Sequence, residues 1–277
     1  MTVRVAVVTD SASRLPADIA AAHGIQVVPL HVLVGTDDLR DGIDDMPADL
    51  CQRQATTAGA SIAELRAAYE SALAESDAVV AVHISGELSS TCLTARQAAA
   101  EFGDRVTVVD SRSTAMGTGL VALVAARCAQ TGADAVAVAD AARTAITRTH
   151  GFIVVQRLDS LRRSGRIGGA AAWLGTALAL KPLLRIDAGK LVLAQRVRTA
   201  SKAIATMIDQ VCAIAGDQPA DLAVHHVENP EGAAELAEAL ARRLPAAAPA
   251  ILTDLGPVLA VHVGAGALAV TVQVPPA

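Results

Sequence analysis

Hydroxyl side chains cluster where an apolar run of this sequence stops. The stretch Val79 to Ile84 is apolar and β-branched, and it gives way to Ser85, Ser89, Ser90 and Thr91 before a helical pattern resumes. Such a turn offers hydroxyls and backbone N–H groups together at a helix start, which suits a carboxylate or a phosphate. The turn alone leaves a second reading open, in which Ser89 or Ser90 merely caps the next helix. Two other apolar runs end in a similar way: VVTDSAS supplies Asp10 and Ser11, and VVDSRS supplies Asp110 and Ser111. If the strands are parallel, these residues and Ser85 gather at one carboxyl edge, where open α/β sheets bind ligands. The small-residue loop 55–61, ATTAGAS, adds Thr56, Thr57 and Ser61. Ser61 precedes Glu64 at capping-box spacing, which leaves Thr57 free to bind. Far along the chain His262 precedes Gly264 and Gly266, and those glycines allow backbone to approach a ligand closely.

Other patterns carry less. Gly117 to Ala122 satisfies GxGxxA, but it begins past its strand and lacks a following ribose-binding acid, so close helix packing explains the glycines better. His225 and His226 are adjacent on a strand and face opposite ways, which discounts a metal pair. The aspartates of GTDDLRDGIDD lack the calcium-loop pattern and read as solvated turns. Cys51, Cys92, Cys128 and Cys212 show no zinc spacing and read as small hydrophobes in a reducing compartment. No metal and no cofactor is expected. There is no GxSxG elbow and no GxxxxGK[ST] loop.

The elements that must position these residues follow from composition and order. The chain has 277 residues, 52% of them hydrophobic, which is ample for a core. Aromatics make up 1%, which argues against stacking of bases. Net charge is −5, yet Arg157 to Lys202 carries ten basic residues against Asp159 and Asp187, a local +8 in a remainder of −13. That segment suits an acidic partner or an anion, and not nucleic acid. Strand-like runs at 3–8, 25–34, 79–84 and 106–109 alternate with helical patterns, predicting a mainly parallel sheet in a Rossmann-like first domain. Composition shifts near Thr149, so the domains are expected at 1–149 and 150–277. The second α/β domain reads as strands at 152–155, 183–186, 190–197, 220–227 and 258–266, with Ala188-Gly189 as a hairpin turn. The opening reaches Asp10 at once, leaving no room for a signal peptide. The charge-free runs 167–180 and 255–277 are too short or too broken to span a bilayer. A cytoplasmic protein without stable membrane insertion is expected.

Taken together, VVTDSASRLP, PLHVLVGTDDLRDGID, ISGELSSTCLTA, VVDSRSTAMGTG, LDSLRRSGRIGG, LGTALALKPLL, VRTASKA and HVGAGALAV resemble the DegV family in order and spacing over nearly the whole chain. The family's TSxPS loop resembles Thr57 to Ser61, its SSGLSGT turn resembles Ser85 to Thr91, and its HxGPGA resembles His262 to Ala267. The resemblance implies a two-domain α/β carrier that buries one long-chain fatty acid in a tunnel between domains. Its carboxylate would be held by Thr57 and Ser89, with His262 close by and Ser61, Ser85, Ser90, Thr91, Asp10, Ser11 and Gly264 around the head group. It also implies a separate ATP-dependent fatty acid kinase subunit that phosphorylates the bound carboxylate and feeds phospholipid synthesis, with Arg166 and Arg198 on the docking face. The departures are Ala58, Gly59 and Ala60 in the loop, Glu87 where the family has glycine, and Ala265 where it has proline. A Glu87 carboxylate beside a carboxylate ligand would repel it, so Glu87 points away or the ligand differs. The enzyme alternative is a hydrolase or phosphotransferase using Ser89 or Asp10. A third is a carrier whose basic face serves regulation.

Overall fold

The structure, a computed structural model, describes residues 3–167 and 181–276. The apolar stretch 170–180 and the last two glycines of SGRIGG lie outside the described residues. Contacts divide the chain into Met1–Thr147 and Arg148–Ala277, two residues before the boundary expected at 149/150.

The first unit runs β1 (Val5–Asp10), α1 (Ala17–Ala22), β2 (Ile25–Val28), β3 (His31–Val34), β4 (Asp37–Arg40), β5 (Ala55–Ala58), α2 (Ile62–Leu73), β6 (Ala78–His83), α3 (Thr91–Ala99), β7 (Val106–Asp110), α4 (Met116–Gln130) and α5 (Ala135–Ile146). Its main sheet has the order β2-β1-β6-β7, with every pairing parallel. Helix pairs α2–α3 and α4–α5 pack on it. All six residues of β6 are buried, as expected of a central strand covered on both faces. This parallel register aligns the ends of β1, β6 and β7, and Asp10, Ser85 and Ser111 follow from it.

A second, antiparallel sheet of order β4-β3-β5 departs from the sequence reading in two places. The acidic segment taken for solvated turns contains β4, and the loop taken for 55–61 begins with β5. Neither DDLR nor ATTA carries the apolar alternation of a strand. Both are extended because β3 offers them its two edges, so pairing partners decide their state. His31 knits the sheet to α2, with Nδ1 2.6 Å from Asp38 Oδ1 and Nε2 3.0 Å from Glu64 Oε1.

The second unit runs β8 (Thr149–Val154), α6 (Asp159–Arg163), β9 (Lys181–Asp187), β10 (Lys190–Val197), α7 (Ala200–Ala215), β11 (Asp221–His226), α8 (Pro230–Arg243), β12 (Ile251–Asp254), α9 (Gly256–Val263) and β13 (Leu268–Gln273). The sheet order is β10-β9-β8-β13-β11-β12, antiparallel except between β11 and β12. Ala203, Met207 and Val211 of α7 and Ala233, Leu236 and Leu240 of α8 recur at helical spacing and bury against Phe152, Leu183, Leu222 and Val270. The β9–β10 hairpin turns through Ala188 at φ 50° and Gly189 at φ 86°, the positive pair that a two-residue turn needs.

The strand expected at 258–266 is instead the helix α9. Asp254 Oδ1 accepts the Gly256 N–H at 2.6 Å, Pro257 sits in the first turn, and Gly264 at φ 80° ends the helix. An apolar run buried nearly all round gives no helical period, so the run alone reads equally as a strand.

Candidate functional site

The carboxyl edge of the parallel sheet is organised by Asp10. Its side chain is fully buried, and both oxygens are engaged. Oδ1 accepts the Ala12 N–H at 3.1 Å, while Oδ2 accepts the Ile84 N–H at 2.9 Å and faces His83 Nδ1 at 3.0 Å. A carboxylate can only accept, so His83 Nδ1 donates to Asp10, and its Nε2 lies 3.1 Å from the Tyr69 hydroxyl. Asp10, His83 and Tyr69 are all 0% exposed. Burial, with Cys92 and Asp10 nearby, holds the Tyr69 phenol well above its ordinary range, which keeps it a donor.

Sequence reasoning missed His83 and Tyr69. The available signal was an imidazole inside a continuous apolar strand, because a buried polar group requires a partner.

The hydroxyls nearest this edge divide by role. Ser11 Oγ accepts the Leu30 N–H at 3.0 Å, and Ser111 Oγ lies 2.8 Å from Thr118 Oγ1. Ser85 donates its N–H to Ser113 O at 2.8 Å, and its Oγ accepts the Glu87 N–H at 3.2 Å. Asp10, Ser11 and Ser85 are therefore buried fastenings that shape the turn. Asp110 fastens the other side, accepting Gly86 N–H at 3.3 Å and Arg112 N–H at 2.8 Å. Glu87 is exposed. Cys92 is buried in the first turn of α3, and burial, followed by Asp110, pushes its thiol up to about 11.

Ser89, partly buried, and Thr91, buried, pair at the end of the turn. Their hydroxyl oxygens are 2.9 Å apart, and Ser89 Oγ also accepts the Thr91 N–H at 3.2 Å. Ser90 is exposed and stands at the N-cap of α3 without a side-chain cap bond. The helix-start bond comes from Ser89, one residue before the N-cap, whose Oγ accepts the Thr91 N–H. The end of β5 lies against this pair: a Cβ built on Gly59 would fall 2.6 Å from Thr91 Oγ1. Thr57, partly buried, lies on β5 two residues before Gly59 and pairs with Val32 of β3. Ser61 completes the capping box it was expected to form, with Oγ accepting the Glu64 N–H at 3.2 Å and the Ser61 N–H reaching Glu64 Oε2 at 2.8 Å.

The GxGxxA stretch lies inside α4, where a Cβ on Gly119 would meet Ser13 O at 2.8 Å. That glycine serves helix packing. A cavity of about 280 Å³ lined by Val5, His23, Ala126 and Gln130 opens at the amino edge of the same sheet, and none of the candidate residues lines it.

In the second unit His262 occupies the last turn of α9, followed by Gly264 at its C-cap. Burial, then the Arg166 charge, lowers its pKa to about 4, so the imidazole is neutral at pH 7. Arg166 is partly buried and donates to Ser164 O at 2.6 Å, and its neighbour Ile167 bridges to Leu191 at the start of β10. Arg198 is exposed just past the end of β10. Seven residue steps along the strand, roughly 23 Å, separate the backbone of Leu191 from that of Arg198. Among the described residues no group of three His, Cys, Asp or Glu is placed to hold a metal, and no helix is long and apolar enough to cross a membrane.

A family model described as "Uncharacterised protein, DegV family" matches residues 4–274. The chain belongs to the DegV family. A DegV domain-containing protein of Mycobacterium tuberculosis is 59% identical over 99% of both chains. A DegV family protein from Thermus thermophilus, whose solved structure is described as showing fatty acid binding, matches with a TM-score of 0.93 at 33% identity, covering 98% of this chain and 100% of that one. The Bacillus subtilis DegV, described as a fatty acid binding protein, matches at 0.90 and 28% identity over 99% and 100%. Within the DegV family frame, Thr57 to Ser61 and Ser85 to Thr91 are neighbouring segments of one unit, joined at the Gly59–Thr91 approach.

Proposed function

We propose that this chain binds a long-chain fatty acid and presents its carboxylate to a separate ATP-using kinase subunit for acyl phosphate formation. The observation that carries the reading is the whole-length similarity to the fatty-acid-binding protein of Thermus thermophilus. The turn supports it, because the paired Ser89 and Thr91 hydroxyls lie against Gly59, just past the end of the strand that carries Thr57, without a charged side chain among these four residues. Burying a methylene contributes about 0.8 kcal/mol, so a chain of about fifteen supplies on the order of 12 kcal/mol before ordering and immobilisation costs. The tail thus dominates affinity, and the head-group contacts fix where the carboxylate sits. His262, neutral at pH 7, would donate a hydrogen bond without adding charge. The exposed Arg198 and the neighbourhood of Arg166 are the proposed docking positions for the kinase subunit.

The hydrolase reading loses support from the geometry. Ser89 pairs with Thr91, and the imidazole of its own unit at the turn, His83, is committed to Asp10 and Tyr69. A nucleophilic serine needs a base within hydrogen-bond reach.

The test is mass spectrometry of the purified protein, native and then denatured, followed by oleate titration. A stoichiometric fatty acid is expected, and Thr57→Ala with Ser89→Ala should weaken phosphorylation by the kinase subunit while leaving the fold intact. A protein that arrives empty and takes up neither oleate nor palmitate overturns the reading.

A further inference from the structure

We propose that Thr91 is a positioning residue that aims the Ser89 hydroxyl proton at the bound head group, and that the absence of a side chain at Gly59 makes room for it. The proposal deepens the fatty-acid reading and rests on it.

A serine hydroxyl has one proton and two lone pairs. In Ser89 one lone pair already accepts the Thr91 N–H at 3.2 Å. The contact of 2.9 Å between Ser89 Oγ and Thr91 Oγ1 can run in either direction. If Ser89 donates, its only proton is spent on Thr91 and none remains for a carboxylate, which can only accept. If Thr91 donates, both Ser89 lone pairs are filled and the Ser89 proton must point elsewhere. An anion beside Ser89 therefore selects the second arrangement, and Thr91 becomes the group that keeps Ser89 a donor. Thr91 is 0% exposed, so water does not compete for its hydroxyl.

The position of that hydroxyl depends on Gly59. A Cβ there would lie 2.6 Å from Thr91 Oγ1 but 3.5 Å from Thr91 Cα and N, which is ordinary contact. Gly59 is outside the left-handed region, so alanine suits its backbone. The one atom that must move in Gly59→Ala is the Thr91 hydroxyl oxygen, and rotating it away breaks its bond to Ser89. The clash is thus specific to the hydroxyl pair, and removing Oγ1 removes it.

The experiment measures oleate affinity by titration for the wild-type chain, Gly59→Ala, Thr91→Val, Thr91→Ser, Thr91→Ala and the Gly59→Ala/Thr91→Ala double variant. Thermal unfolding of each ligand-free protein identifies any variant that fails to fold, and the ¹³C shift of carboxyl-labelled oleate is read in each complex. Gly59→Ala and Thr91→Val should each weaken binding about 3- to 10-fold and move the carboxyl signal. Thr91→Ser should recover most of both. The double variant should bind no more weakly than Thr91→Ala. If Thr91→Val binds like wild type with an unmoved signal, or if Gly59→Ala weakens the Thr91→Ala protein as much as it weakens wild type, the positioning role is wrong and the fatty-acid reading stands. If the wild-type chain itself takes no oleate, the functional reading falls and this proposal falls with it.

Discussion

At the residue scale, the site shows how a buried polar group can shape a turn. Asp10 draws Ile84 N–H and His83 to one carboxylate, and that fixes the point at which the hydroxyl turn leaves β6. His262 is the residue whose titration is open to test. Its folded pKa near 4 lies below the usual histidine value of about 6.5, so the unfolded chain takes up a proton first as pH falls. The contribution of the neutral imidazole is fully present above about pH 6.5 and is lost between there and pH 4. Urea denaturation at pH 7 and pH 5 should therefore show stability falling with pH, and His262→Asn should flatten that fall; an unchanged slope would exclude His262 as its source. The residues legible in sequence were those at strand ends, because an apolar run ending in Asp-Ser or Ser announces itself. His83 and Tyr69 were not legible, since the His83 partners lie 73 and 14 residues away. The burial of Ser11 was hidden for a similar reason: its hydroxyl partner is the Leu30 N–H, 19 residues away.

At the element scale, the parallel strands were readable from continuous apolar runs and the hairpin from Ala188-Gly189. The strands β4 and β5 were not, because their extended state comes from pairing with β3 and not from their own residues. The helix α9 was misread because its apolar residues surround it. Ala188 holds φ 50°, a conformation that costs a residue with a Cβ on the order of 1 kcal/mol. Ala188→Asn produces the Asn-Gly pair that two-residue hairpins favour. It should raise stability by about 0.5–1 kcal/mol, read as a shift of the urea midpoint with the slope unchanged. A lower midpoint would show that Ala188 makes a contact asparagine cannot replace.

At the scale of the molecule, membership in the DegV family converts scattered hydroxyls into a head-group hypothesis with a measurable consequence. A ligand that binds only the folded chain stabilises it by about 2.7 kcal/mol at a hundredfold excess over its Kd. Oleate should therefore raise the thermal midpoint in a concentration-dependent way, and methyl oleate, which lacks the carboxylate, should raise it less. Equal shifts from both would remove the head group from the account of affinity.

The place of β1 inside its sheet also has a consequence for synthesis. The strand pairs on one side with β2, about twenty residues later, and on the other with β6, where Val5 meets Ala78. At about 5–20 residues per second, a growing chain waits several seconds between making the first strand and making its second neighbour. During that interval the Asp10 carboxylate has no Ile84 N–H to receive, and one edge of β1 is bare. An unpaired edge invites pairing with other chains. The nascent protein thus carries an exposed strand edge for as long as the hydroxyl turn has not been translated.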